Sequence, residues 1–185
     1  FATWKDDVMS AWSEGKIVAI KGIGGFLLTC DASSETAISN LRKRKNRPDK
    51  PLALMFPDLD TVKAYAKVSE FEQKQLVHPS APIVLLTYQP GSIQTQLPIA
   101  SIAPGLRKIG CMLAYTPLFL LVLNHYKKPI VATSGNISGS PILYEDVPAY
   151  AGLKPIADHV YTDNRRIIIP QDDSVPVSYT HLTLP

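Results

Sequence analysis

The sequence has few of the residues from which disulfide frameworks and metal centres are built. It has two cysteines, Cys30 and Cys111, which cannot form a disulfide framework or a four-thiolate zinc site. Its four histidines show no metal-ligand spacing, and no hydroxyl or thiol lies in a recognisable nucleophile motif. Metal-dependent hydrolysis is therefore unsupported, no protein-bound metal site is predicted, and a reducing, cytoplasmic compartment is expected.

Long apolar runs are also missing. The longest strongly apolar run, residues 118–123, is far shorter than the roughly 20 residues that a bilayer requires. No signal-peptide pattern precedes the first predicted helix, so we expect no membrane contact. The chain has 185 residues, 45% of them hydrophobic and 19% charged, which excludes a disordered polyelectrolyte and a coiled coil and fits one folded domain.

Helix and strand patterns alternate along the chain. A Thr3-x-x-Asp6 capping pattern opens the first predicted helix, Gly15 ends it, and the helix capped by Ser34 stops before Pro48. Further helices are predicted over residues 116–125 and from Asp58 and Ser69, and strands over residues 16–21, 26–30, 52–56, 83–88, 109–113 and 129–133. This alternation is typical of an α/β domain.

Two segments lack either pattern. Residues 89–107 contain three prolines and no clear period, so we interpret them as a long surface loop and as a candidate lid. Residues 176–185 show neither strand alternation nor a helical period. We therefore place the domain at residues 1–175 and treat 176–185 as a non-native or disordered tail.

Positive charge is concentrated in residues 42–50, which carry six of the nineteen Lys and Arg side chains. Arginine presents a planar fork that matches phosphate oxygens, and lysine presents a compact charge, so a turn bounded by Pro48 and carrying both suits a polyphosphate. A solvated helix face or a patch for nucleic acid explains the same composition. Phosphate binding is the preferred interpretation of the three.

A polar loop follows the predicted strand 129–133 and contains Thr133, Ser134, Gly135 and Asn136. Polar side chains at a strand end lie where α/β folds bind ligands, and hydroxyls with flexible backbone amides suit an oxyanion. An ordinary turn rich in Ser, Gly and Asn has the same composition, and taken alone it is the simpler explanation.

Two weaker motifs flank these features. The Gly22-Ile23-Gly24-Gly25 turn is not a dinucleotide fingerprint, because Leu27 occupies the third glycine position, and the chain has no Walker loop. Asp172-Asp173 is either a Mg²⁺ site facing a phosphate or a charged turn.

Taken together, these motifs resemble the YrdC-like domain of the hydrogenase-maturation carbamoyltransferase HypF. The resemblance rests on ordered blocks that run from residue 4 to residue 175: residues 21–32 (KGIGGFLLTCDA), Lys45-x-Arg47-Pro48, Lys50-Pro51, Ser80-Ala81-Pro82, Ile109-Gly110, Tyr115-Thr116-Pro117, Thr133-Ser134-Gly135-Asn136 and Asp172-Asp173-Ser174-Val175. The KxR and SxN pair is also the signature of the YrdC enzymes that make threonylcarbamoyl-adenylate for tRNA modification. The first block and the Tyr-Thr-Pro element are those of the HypF branch.

The resemblance implies a fold and an activity. The fold is a single YrdC-like α/β domain, with a twisted mixed parallel and antiparallel sheet, flanking helices and a concave basic face. The activity is the joining of ATP and a carbamate, generated from carbamoyl phosphate, into carbamoyl-adenylate with release of pyrophosphate. In that family, acylphosphatase and zinc-finger modules precede this domain, and a transferase domain that follows it delivers carbamoyl to the acceptor protein HypE.

The resemblance also implies site residues and cofactors. Catalytic roles fall to Lys45, Arg47, Ser134 and Asn136, with ATP and Mg²⁺ as cofactors. Binding roles fall to Lys21, Gly24, Gly25, Lys50, Thr133, Gly135, Asp172, Asp173 and Ser174. Two alternatives stay open: threonylcarbamoyl-adenylate synthesis, and a non-catalytic module that binds double-stranded RNA through residues 42–50.

Overall fold

Eight strands form one mixed sheet within residues 3–137, 139–172 and 174, which are the residues that this computed structural model describes. The strands are β1 (Val18–Lys21), β2 (Phe26–Asp31), β3 (Ala53–Phe56), β4 (Ala66–Lys67), β5 (Val84–Tyr88), β6 (Lys108–Leu113), β7 (Ile130–Ser134) and β8 (His159–Tyr161). Their order in the sheet is β4-β5-β6-β3-β7-β2-β1-β8. The pairs β3–β6 and β1–β8 are parallel and the other neighbours antiparallel, so the predicted mixed α/β fold is confirmed.

Helices cover both faces of this sheet. They are α1 (Trp4–Ser13), α2 (Glu35–Lys45), α3 (Leu59–Tyr65), α4 (Glu70–Leu76), α5 (Ile99–Ile102), α6 (Pro117–Tyr126) and α7 (Asp146–Leu153), with a short 3-10 helix at Ile93–Thr95. One apolar cluster joins α1 and α6 to one face of the sheet, and a second joins α2, α3, α4, α5 and α7 to the other. All six residues of β2 are buried because helices lie on both sides of it.

Local signals set most helix ends. Ser34 Oγ accepts a hydrogen bond from Ala37 N at the start of α2, and Thr116 caps α6 with Pro117 in its first turn. Asn46 ends α2 in the left-handed conformation, with a φ of 53°. The chain therefore turns sharply between Lys45, the last residue of α2, and Arg47.

The surface-loop prediction for residues 89–107 was wrong in part. The segment contains the 3-10 helix and α5, and Leu97, Ile102 and Ala103 are buried. Leu52 N donates to Ile102 O at 2.9 Å, and Arg42 Nε donates to Ser101 O at 2.6 Å. Apolar side chains in the second half of the segment fill the space beside α2, so this half belongs to the core. The lid role stays a prediction.

Outside residues 89–107, three elements were not predicted: the two-residue strand β4, helix α7 and strand β8. Helix α7 begins without a side-chain cap and contains Pro148, and β8 is a three-residue edge strand that pairs with β1. Both lack the start signals and periodicity on which sequence analysis depends. Among the described residues, no helix is long and apolar enough to cross a membrane. The domain limit at residue 175 and the tail 176–185 lie outside the described residues.

Candidate functional site

A row of three small residues crosses the neighbouring strands β6, β3 and β7 on the sheet face that α1 and α6 cover farther along. Gly110 pairs with Ala53, and Ala53 with Ala132, while Leu85 of β5 pairs with Gly110 at the end of the row. One row along, Met55 pairs with Met112 and Ile130, and these larger side chains fill the space beneath α6. Because Gly110, Ala53 and Ala132 are too small to fill theirs, a cleft of about 700 Å³ remains above them.

The cleft has a charged rim and apolar walls. Arg47, Arg107, Lys108, Thr133, Ser134 and Asp172 supply its polar groups, and Leu52, Leu85 and Leu106 are among its apolar ones. A volume of this size, mainly apolar with a few convergent polar groups, is typical of a small-molecule site. The combination of cations with apolar walls suits a nucleotide, which has a phosphate end and a flat base.

Arg47 presents an unsatisfied donor at this rim. Its Nη2 donates to Pro51 O at 2.9 Å, whereas its Nε is buried with no hydrogen-bond partner among the described residues. Burial also lowers the pKa of Arg47 from its usual value. A buried donor without a partner costs free energy, so this group favours an anionic ligand in the cleft.

Lys45 and the loop after β7 meet although they lie 89 residues apart in sequence. The Lys45 side chain is fully buried, and its Nζ donates to Ser134 O at 2.5 Å, Asn136 O at 2.8 Å and Asn136 Oδ1 at 2.6 Å. Asn136 Oδ1 also accepts from Ser134 Oγ at 2.9 Å. Folding thus brings together the predicted catalytic residues Lys45, Ser134 and Asn136. The fourth, Arg47, lies two residues after Lys45, just beyond the end of α2.

Gly135 allows this loop to lie against β2. Its N donates to Phe26 O at 2.5 Å, and a Cβ added there would come within 2.6 Å of the same oxygen. Any side chain at this position would therefore push the loop away from the sheet. Gly135 thus determines where Ser134 lies, and its ligand-binding role stays a prediction.

Two other arginines of the basic segment, Arg42 and Arg44, form hydrogen bonds within the protein and are not among the described residues that line the cleft. Arg42 donates to five backbone oxygens, those of Arg47, Pro48, Lys50, Ser101 and Ile102. Arg44 donates to Asp158 Oδ1 at 2.8 Å and to Ile156 O at 3.0 Å. Lys50 is exposed and is not among the described residues that line the cleft. The six charges are dispersed, and RNA binding stays a prediction.

The glycine turn borders a second, smaller cavity of about 280 Å³. Gly24, Ser80, Tyr115, Asp172 and Ser174 are among the residues that line it. Gly24 O accepts from Gln171 N at 2.9 Å, and a Cβ on Gly24 would collide with Gln171. Asp172 lines both cavities, so the two adjoin at this carboxylate.

Gly25, a second predicted binding residue of the glycine turn, has surroundings different from those of Gly24. Gly25 packs against Ile142, whose Cδ1 would lie 2.5 Å from an added Cβ. It is absent from the described lining of the smaller cavity, so its position supports a packing role. Asp173 lies outside the described residues.

The family model of the Sua5/YciO/YrdC proteins, described as "Telomere recombination", matches residues 10–181. The chain belongs to this family. Its YrdC-like fold therefore agrees with its sequence, and the resemblance to HypF is confirmed by the relatives that follow.

Three relatives of this YrdC-like domain bear on its function. Carbamoyltransferase HypF of Synechocystis sp. is 45% identical over 87% of the chain, and the chain spans 20% of that protein. A crystal structure of full-length HypF in its phosphate- and nucleotide-bound form superimposes with a TM-score of 0.88 and 42% identity, over 94% of this chain and 27% of that one. Threonylcarbamoyl-AMP synthase of Vibrio vulnificus is 31% identical over 71% of both chains.

Lys21 of the YrdC-like domain lies at a different place from the other predicted residues. It is buried, and its Nζ donates to Asp146 Oδ1 at 2.7 Å, Arg165 O at 2.6 Å and Asp163 O at 3.1 Å. It lines a third cavity with Asp146, Arg165 and other residues, and is not among the described residues that line the other two. Its contacts fasten the segment after β8 to β1.

Sequence analysis missed two cations of the YrdC-like cleft, Arg107 and Lys108. Lys108 begins β6 and lies two residues before Gly110, so it shares the cleft face with that glycine. The signal was present as a pair of basic residues at the start of a predicted strand. It went unused because Arg107 was assigned to a surface loop.

Proposed function

We propose that this domain binds ATP in the 700 Å³ cleft and joins it to carbamate, forming carbamoyl-adenylate and pyrophosphate. In this proposal it is the adenylation part of a HypF-like carbamoyltransferase that serves [NiFe]-hydrogenase maturation in the cytoplasm. The buried Arg47 Nε, a donor without a partner among the described residues and next to the cleft, is the observation that carries the proposal. The nucleotide- and phosphate-bound state of the HypF relative supports it.

The chemistry of the cleft supports one orientation of the bound nucleotide. Leu85 and Leu106 are exposed apolar side chains that a base covers favourably. Arg47, Arg107 and Lys108 supply the positive charge that a triphosphate needs. The Ser134 hydroxyl, which donates to Asn136 Oδ1 at 2.9 Å, lies at the same rim. ATP therefore lies with its base on the apolar wall and its phosphates among the cations.

The proposed reaction needs charge stabilisation more than a protein nucleophile. A carbamate oxygen attacks the α-phosphorus, and a new P–O bond forms as the bond to the bridging oxygen breaks. The electron pair of the broken bond leaves with pyrophosphate. Negative charge grows on the phosphoryl oxygens, where Arg47 and Lys108 lower its free energy.

Mg²⁺ fits this site only with the help of phosphate oxygens. Among the described residues, Asp172 is the one carboxylate that lines the cleft, and no group of three or more His, Cys, Asp or Glu side chains is arranged for a metal. Mg²⁺ commonly takes one or two carboxylates together with substrate phosphates. Asp172 is therefore the residue that would hold Mg²⁺, and the ion would neutralise phosphate charge there.

Carbamate, which is small, belongs in the 280 Å³ cavity beside Gly24. This cavity meets the cleft at Asp172, so a carbamate there lies next to the phosphates. The chain spans about a fifth of the curated HypF relatives that it matches. We assign the transfer of carbamoyl to HypE to a further domain of the HypF type, which follows this one in that family.

A second candidate is threonylcarbamoyl-adenylate synthesis. It is favoured by the 31% identity to threonylcarbamoyl-AMP synthase, which shares the adenylation chemistry. The two candidates differ in the acyl substrate alone. Carbamate has no side chain, whereas threonine-derived carbamate carries one together with a second carboxylate.

The deciding experiment is exchange of labelled pyrophosphate into ATP with Mg²⁺ present. One reaction contains carbamoyl phosphate and an added acylphosphatase, and the other contains threonine and bicarbonate. We expect exchange in the first reaction only. Exchange in the second only favours the tRNA-modification activity, and ATP binding without exchange in either contradicts both.

A further inference from the structure

Lys45 has no donor left for a ligand. An ammonium group carries three N–H bonds, and the Nζ of Lys45 has three acceptors within hydrogen-bond distance, all from Ser134 and Asn136. The side chain is fully buried, so water does not compete for these donors. A contact to phosphate requires that at least one of these bonds break.

The cleft lining leads to the same conclusion. Arg47 and Ser134 line the cleft, whereas Lys45 and Asn136 are not among its described lining residues. Lys45 therefore lies behind Ser134 as seen from the cleft. Asn136 extends this support, because its Nδ2 donates to Ser140 O and its Oδ1 accepts from Ser134 Oγ.

We infer that Lys45 is a positioning residue, which holds the turn of residues 134–136 so that Ser134 faces the nucleotide, and that it makes no phosphate contact itself. This inference rests on the proposed function, since it concerns the same site. Without the ammonium, three carbonyl-type oxygens would converge behind Ser134 and repel one another, with only Asn136 N and Ser134 Oγ left to donate to two of them. The buried ammonium is the group that lets the turn close.

The test uses the full chain and compares Lys45→Met, Lys45→Gln and Asn136→Ala with the double variant Lys45→Met/Asn136→Ala. Methionine keeps the approximate volume but no donor, and glutamine keeps two amide N–H donors without charge. Lys43→Met is the matched control, because it removes the same charge from an exposed position of α2. Thermal unfolding first establishes that each variant is folded.

The first readout is amide hydrogen exchange in the loop, which does not depend on ATP. We expect faster exchange at Gly135, Asn136 and Leu143 in Lys45→Met than in Lys43→Met, with partial protection regained in Lys45→Gln. These amides donate to Phe26 O, Ser134 O and Gly135 O respectively. Unchanged exchange in Lys45→Met overturns the inference, whatever the protein does with ATP.

The second readout is the dissociation constant of ATP. We expect it to rise about tenfold in Lys45→Met and less in Lys45→Gln. The effects of Lys45→Met and Asn136→Ala should be non-additive, because both substitutions remove the hydrogen bond between Lys45 Nζ and Asn136 Oδ1. Additive effects, or an equal loss in the methionine and glutamine variants with normal loop exchange, mean that Lys45 contacts phosphate and overturn the inference. Absence of ATP binding by the wild type instead overturns the proposed function. Amide hydrogen exchange in the loop would then still show whether Lys45 holds the turn of residues 134–136 in place.

Discussion

Ala53 and Ala132 lie opposite each other on the antiparallel strands β3 and β7, and both line the cleft. A methyl group at each position leaves the sheet face open between the core beneath α6 and the charged rim. The capacity of the cleft therefore depends on side-chain size at two positions that carry no chemistry. Gly110, the neighbour of Ala53 on β6, extends the same floor.

This relationship predicts that Ala53→Leu lowers ATP affinity without removing any charge. Ala53 is only half-buried, so the larger side chain projects into the cleft and leaves the core intact. We expect the ATP dissociation constant, measured by calorimetry, to rise at least tenfold with little change in the unfolding temperature. Ala151→Leu, at an exposed position of α7, is the control. Unaltered affinity in Ala53→Leu would show that the nucleotide binds elsewhere.

Arg47 provides the second prediction. We expect Arg47→Gln to weaken ATP binding by about 1 to 3 kcal/mol, because it removes a charge-assisted contact. Arg47→Lys keeps the charge but has no counterpart of the buried Nε–H, so its loss should be smaller but measurable. Titration calorimetry with ATP measures both, and Lys63→Gln, exposed on α3, controls for net charge. Wild-type affinity in both Arg47 variants contradicts the assignment of the phosphate site.

The third prediction concerns stability and pH. Burial lowers the pKa of Lys45 from 10.5 to about 8, the charge of Arg47 adds to this, and Asp172 opposes it. Between these two values the unfolded chain binds a proton that the folded chain lacks, so the contribution of Lys45 to the free energy of unfolding increases as pH rises. The slope is at most roughly tenfold in the folding equilibrium constant per pH unit.

Urea unfolding of the wild type and of Lys45→Met across this window measures the effect as their difference. We expect the difference to grow in favour of the wild type from about pH 8 to 10.5. A flat difference would mean that Lys45 keeps an ordinary pKa. ATP affinity should move in the opposite direction and fall above about pH 8, because a neutral amine donates two hydrogen bonds in place of three.

Gly24→Ala is expected to disturb the segment that carries Asp172. The added Cβ meets the backbone of Gln171, which must shift and move Asp172 away from both cavities. We expect a loss of stability of about 1 to 3 kcal/mol and faster hydrogen exchange at Gln171 N. Gly105→Ala is the comparison, since its φ of +70° imposes backbone strain but nothing lies within 4 Å of the new methyl group. Equal effects of the two substitutions would show that the Gln171 contact is unimportant.

Most elements could be predicted from the sequence because their signals are local. The capping box of Thr3 and Asp6, the Ser34 cap and the Thr116-Pro117 start all act within one helical turn. Elements without such signals were missed, as α7 and β8 show. The second half of residues 89–107 was assigned to the surface because its burial depends on contacts with α2, far away in the chain.

The same distinction between local signals and remote contacts applies to the candidate site. The resemblance to the YrdC-like family identified Lys45, Arg47, Ser134 and Asn136 as a set, whereas residue types and spacing alone indicated only a basic segment and a polar loop. Which donor meets which acceptor is a property of the packed sheet, in which β7 lies between β2 and β3. That packing occupies the donors of Lys45 and leaves Arg47 Nε without a partner among the described residues.

The sequence by itself determined the α/β class, the positions of most helices and strands, and the chemistry available in each motif. Only the tertiary structure decided that Arg42 and Arg44 fasten loops, that Lys21 lies apart from the cleft, and that Arg107 and Lys108 border it. The physical reason is distance along the chain. Propensities and caps act over a few residues, whereas a charge acquires its role from the groups that folding brings around it from remote segments.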